Sequence, residues 1–152
     1  MDDSEFDGLE AEFFRSVGSG DGATPDRVVA LLNRLFPRYN WVGIYWVKEG
    51  MLELGPWSGP AATEHTSIPL GAGICGAAAS SGRVENVGDV NADGRYLSCF
   101  LQTRSEIVVP IKSGDRVVGE IDIDCDEKDG FGPRDELFLS RVASMLAAEG
   151  GK

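Results

Sequence analysis

The sequence predicts an α+β fold on three observations. Apolar residues fall at helical spacing near both ends of the chain, the spacing drops to two in between, and the period-two segments pair across short turn sequences. Antiparallel hairpins with helices set apart from them indicate α+β, not an alternating doubly wound sheet.

The first helix is expected over Ser4 to Ser16, with Phe6, Leu9, Phe13 and Phe14 on its apolar side and Ser4 as N-cap. Gly18 to Gly22 is a flexible break. Thr24-Pro25-Asp26 starts a second helix with proline in its first position, and Val28, Val29, Leu32, Leu35 and Phe36 form its stripe up to Pro37. From Asn40, Trp41, Gly43, Tyr45 and Val47 share one strand face, and Val42, Ile44 and Trp46 take the other. Glu49-Gly50 turns the chain into a strand over Met51 to Trp57, and a short strand follows at Thr66 to Ile68. Gly71 to Ala79 is a glycine turn entering a small-residue helix, with no GxGxxG and no following Lys-Ser or Lys-Thr to make it a nucleotide loop. Arg83 to Val87 is a short strand, and Val90 to Arg104 a polar loop of a length that is more often functional than incidental. Ile107 to Lys112 and Arg116 to Asp124 form a hairpin across Ser113-Gly114-Asp115. Pro133 to Ala148 closes the chain as a helix with Leu137, Leu139, Val142, Met145 and Leu146 on one side. Residues 1–152 are expected to form one domain, with a helix and break over 1–23 and a core over 24–150.

A formal net charge of −11 repels phosphate backbones and anionic headgroups, so nucleic acid and membrane surfaces are poor partners. Acid excess with only Lys48, Lys112, Lys128 and Lys152 as lysines points to a surface adapted to high salt, where screening quenches self-repulsion. The acidic start MDDSEFDGLEAEFF lacks a basic and an apolar leader region, which points to the cytoplasm. Three cysteines in that setting are not a disulfide framework: each is a buried hydrophobe, a metal ligand or a redox thiol.

Cys99 stands in the long loop, where a thiol can be exposed and mobile as a nucleophile requires; a buried loop anchor is the other reading. Glu106 opens the apolar run IVVPI, where it is either a solvated strand end or an acid that partial burial equips to protonate a departing oxygen. Asp122 and Asp124 share a strand face, where they are either two solvated carboxylates or a site in which a cation between them, an ammonium group or a metal, would relieve their repulsion. Trp41 and Tyr45 offer either an aromatic wall for a methyl or thioether group or ordinary sheet packing. Cys75 lies at a helix start whose dipole is expected to lower its pKa, whereas Cys125 faces the opposite side and is structural. A zinc site from His65, Cys75 and Cys99 matches no paired-ligand spacing.

Taken together, NWVGIY (40–45), LGP (54–56), IPLGAGICG (68–76), DVN (89–91), Cys99, SEIVVPI (105–111) and GEIDID (119–124) resemble the free methionine-(R)-sulfoxide reductases, small proteins of one GAF domain. Cys99, seven residues before Glu106, is the distinctive part of the match. The resemblance implies a six-stranded antiparallel sheet flanked by helices and a homodimer. It assigns catalysis to Cys99, acid and substrate-binding roles to Glu106, Asp122 and Asp124, and the wall around the substrate methyl to Trp41 and Tyr45. Cys75 matches a second cysteine of many members, but His65 stands where the family commonly has a third, resolving cysteine. Resolution then falls either to Cys75 or to an external thiol, or catalysis has been lost.

The implied chemistry is attack of the Cys99 thiolate on the sulfoxide sulfur, release of methionine, and a sulfenic acid that condenses with a thiol to a disulfide. A thioredoxin-like dithiol restores the thiolate, with no metal or organic cofactor. Asp122 and Asp124 would hold the α-ammonium that only a free amino acid offers. The rival expectation is a non-catalytic GAF sensor using the same pocket, against which stands the lack of an output domain in these residues.

Overall fold

Two hairpins form the centre of the sheet in the computed structural model, which describes residues 1–18, 23–97 and 100–150. Positions 19–22, most of the expected glycine break, lie outside the described residues. The elements are α1 (Asp3–Val17), α2 (Pro25–Leu35), β1 (Trp41–Lys48), β2 (Met51–Ser58), β3 (Ser67–Pro69), α3 (Gly73–Ser81), β4 (Glu85–Val87), β5 (Ser105–Ser113), β6 (Arg116–Cys125) and α4 (Pro133–Gly150). The strands form one sheet in the order β3-β2-β1-β6-β5-β4, and every neighbouring pair is antiparallel. This is the expected six-stranded α+β architecture.

The β1–β2 turn uses Glu49 and Gly50, both with positive φ (50° and 79°), a backbone twist that matches the strands it joins. Pro110 is tolerated inside β5 because β4 pairs only with Glu106 to Val108 and leaves the Pro110 edge without a ladder to serve. Helices α1, α2 and α4 cover one face, where Phe13, Leu32, Phe138 and Leu146 meet Val42, Ile44, Ile121 and Ile123. Helix α3 covers the other, placing Ile74, Cys75 and Ala78 against Tyr45 and Val108.

Two expectations, the cap of α1 and the inward side of α4, need correction. Asp2, not Ser4, caps α1: its carboxylate accepts from the Glu5 amide at 2.8 Å, and an anion there also suits the helix dipole. Leu137 is 71% exposed. Phe138 takes the inward position, so the buried α4 stripe runs Phe138, Leu139, Val142, Leu146. Helix α3 begins at Gly73 because Gly71 and Gly73 both hold positive φ, 89° and 66°. The loop from Val90 contains a short 3-10 turn, Val90–Ala92, whose Asn91 amide donates to the Asp89 side chain. Among the described residues no helix is long and apolar enough to cross a membrane.

Candidate active site

Period-two alternation along β6 sends Ile121, Ile123 and Cys125 to the face of α1, α2 and α4. Glu120, Asp122 and Asp124 therefore face α3. Antiparallel register then builds three cross-strand rows on that face: Tyr45–Glu120–Pro110, Gly43–Asp122–Val108 and Trp41–Asp124–Glu106. All four acids are buried, with Glu106 6%, Glu120 0%, Asp122 4% and Asp124 3% exposed. Carboxylates are almost never buried without partners in a sheet serving stability alone. Among the described residues, no ion pair involves Glu120, Asp122 or Asp124.

Tyr45, His65, Ile68, Ile74, Cys75, Leu97, Glu106 and Asp122 enclose a cavity of about 20 Å³. That is room for a water molecule. Pockets that enclose ligands run to roughly 300–1,000 Å³, so an amino acid enters only if the walls part. A larger hollow of about 770 Å³ lies along Trp46, Lys48, Leu70 and Val117, but no acid or thiol lines it. The small cavity is the one that gathers acids and a thiol. The Cys75 thiol donates towards Glu106 Oε2 at 4.0 Å, the long limit of a sulfur hydrogen bond. The Tyr45 hydroxyl donates to the His65 carbonyl at 2.7 Å and so ties the β2–β3 connection to the cavity wall.

Protonation follows burial. Desolvation is the largest cause raising Glu120, followed by the charge of Asp122; Cys75 draws it down. The Glu120 carboxyl faces that thiol without reaching bonding geometry, and neither of its oxygens has a hydrogen-bond partner. Asp122 and Asp124 are also raised, chiefly by desolvation, with hydrogen bonds to Glu106 opposing. One oxygen of each aspartate, Oδ1, is left without a partner. The Cys75 thiol is pushed well up, first by burial and then by Asp122, Glu120 and Glu106. The expected lowering by the helix dipole is therefore wrong: a partial charge of about one half at a helix start is outweighed by burial beside three acids.

Trp41 shares the acid face but does not line the cavity. It lies beside Asp124, stacked on Trp57 at 6.2 Å and tilted against Phe100 at 6.0 Å, and its indole N–H donates to Ala61 O. Its ring folds across Gly43, where a Cβ would fall 2.3 Å from the indole. Cys125 lies in the opposite core, as expected of a structural residue. Cys99 lies outside the described residues. The structure thus brings Tyr45, Cys75, Glu106 and Asp122 around one cavity, with Asp124 adjoining through Glu106 and Trp41 to one side. Glu120 is the acid that sequence reasoning missed; the run Glu120-Ile121-Asp122-Ile123-Asp124 held the signal, because its period-two alternation carries three acids.

A model of the GAF domain matches residues 24–149. The free methionine-R-sulfoxide reductase of Escherichia coli is 32% identical over 124 residues, 82% of this chain and 74% of that protein. The type II free methionine-R-sulfoxide reductase of Thermoplasma acidophilum superposes with a TM-score of 0.80 at 34% identity, covering 93% of this chain and 94% of its own. The enzyme from Neisseria meningitidis, solved in complex with its substrate, gives a TM-score of 0.85 at 31% identity, covering 99% and 92%. With a matching domain model, relatives of this identity and a shared fold, the chain belongs to the free methionine-R-sulfoxide reductases of the GAF-domain family.

Proposed function

We propose that this protein reduces free methionine-(R)-sulfoxide to methionine at the cavity under α3. The observation that carries the reading is the buried face of Glu106, Asp122 and Asp124 beside Tyr45 and Cys75, in a chain similar to a reductase solved with its substrate. Asp122 and Asp124, both raised by burial and each with an unpartnered Oδ1, offer a receptor for a cation. An arriving α-ammonium stabilises the carboxylate forms of Asp122 and Asp124 and so opposes the burial that raises both.

In the proposed reaction the Cys99 thiolate attacks the sulfoxide sulfur, and Glu106 gives a proton to the oxygen. The oxygen, as hydroxyl, passes from the substrate sulfur to the Cys99 sulfur as the sulfur–oxygen bond and the transient sulfur–sulfur bond break, so methionine leaves with its sulfur reduced and Cys99 becomes a sulfenic acid. A second thiol condenses with the sulfenic acid to form a disulfide and water, and a thioredoxin-like dithiol then restores the thiolate. Cys75 as resolving thiol must lose a proton that burial and three acids hold in place, which favours an external thiol in its stead. The proposal extends to a homodimer working in the cytoplasm.

A thioredoxin-coupled assay on both epimers of free methionine sulfoxide tests the reading. Turnover of the R epimer alone is expected, and its absence with a competent reductant overturns the proposal. Cys99→Ser is expected to abolish turnover; an unchanged rate in that variant removes the proposed nucleophile.

A further inference from the structure

We propose that Cys75, Glu106 and Asp122 form a binding site for a thiophilic divalent cation of the zinc, cobalt(II) or cadmium type, with Glu120 as its neighbouring counter-charge. The Cys75 sulfur and one oxygen from each of Glu106 and Asp122 all lie within 4.8 Å of one another. A tetrahedral centre with metal–sulfur and metal–oxygen bonds of about 2.3 and 2.1 Å holds its ligand atoms about 3.4–3.6 Å apart. Closing the present spread needs a shift of roughly 1 Å, within reach of small side-chain rotations of Cys75 and Glu106.

A second observation points independently to a cation. Glu120 is fully buried beside Cys75 and Asp122, and neither of its oxygens has a hydrogen-bond partner. Asp122 Oδ1 is likewise unpartnered. Buried carboxyl oxygens without hydrogen-bond partners are costly, and a dication that displaces the thiol proton compensates them together. Donor chemistry narrows the ion: a thiolate disfavours magnesium and calcium, while two carboxylate oxygens suit a metal of borderline softness. Size agrees, since the cavity of about 20 Å³ takes one ion without parting the walls as an amino acid must. The donor set differs from the His65, Cys75, Cys99 combination weighed from the sequence, because strand register brings Glu106 and Asp122 to the thiol.

Anaerobic titration of cobalt(II) into the reduced, metal-free full chain carrying Cys99→Ser tests the site, whether or not the protein reduces sulfoxides. A thiolate-to-cobalt charge-transfer band saturating at one ion per chain is expected. It should vanish on adding Cys75→Ser, and Asp122→Asn should weaken binding roughly tenfold or more. No band, or a band that survives Cys75→Ser, overturns the proposal. Should Cys75→Ser fail to fold, the affinities of Asp122→Asn and Glu106→Gln decide: weakened binding in both supports the site, and unchanged affinity in either refutes it.

Discussion

Strand β6 shows two helix layers equal burial and opposite chemistry. Towards α1, α2 and α4 it presents Ile121, Ile123 and Cys125, and towards α3 it presents Glu120, Asp122 and Asp124, all of them buried. Burial on the first side removes apolar surface from water and holds the fold together. On the second it raises the acids and works against the fold, so the proposed site lies on the face where burial costs stability.

The sharpest way to break this contrast is to exchange one residue from each side. Ile123→Ala is expected to cost about 2–5 kcal/mol through lost contacts and a cavity among the helices, read as a lower urea midpoint. Asp122→Asn, one position away, should leave that midpoint unchanged or higher at neutral pH, because it removes a buried ionisable group. The same variant should lower kcat/KM for sulfoxide by about 100-fold, the worth of a charge-assisted contact of about 2–3 kcal/mol. A stability loss at Asp122 equal to that at Ile123 would erase the distinction between the faces.

Glu120→Gln sharpens the contrast more gently. The folded-state pKa of Glu120 is raised, so the native chain binds more protons than the unfolded chain once pH exceeds the unfolded value of about 4.3. Wild-type stability should therefore be full below that pH and fall as pH rises towards the folded-state pKa. Gln removes this contribution, so its stability relative to wild type should grow with pH over the same interval, measured by urea unfolding at successive pH values. A difference independent of pH would mean that Glu120 is not protonated on folding.

Legibility in the sequence followed locality. The hairpins, the helix order and the sides taken by Val42, Ile44 and Trp46 against Tyr45 were readable, since alternation and turn residues are short-range. Asp122 and Asp124 were readable as a pair, but the burial that makes them costly depends on α3, remote in sequence. Cys75 misled for the same reason: its helix start is local, whereas the three acids that raise its pKa arrive through the register of β5 and β6. Leu137 was assigned inward by spacing alone, and the packing of Phe138 against Phe6, Phe13 and Phe36 decided otherwise.

The spacing of Glu120, Asp122 and Asp124 also bears on how the chain finds its native alignment. A slip of one position between β6 and either neighbour would turn Ile121 and Ile123 under α3 and drive all three acids among the phenylalanines and leucines of the larger core. That arrangement forfeits apolar burial on one side and strands three carboxyls on the other, so misaligned sheets are penalised twice. The residues proposed to greet the ligand would thus also police the folding of the strand that carries them.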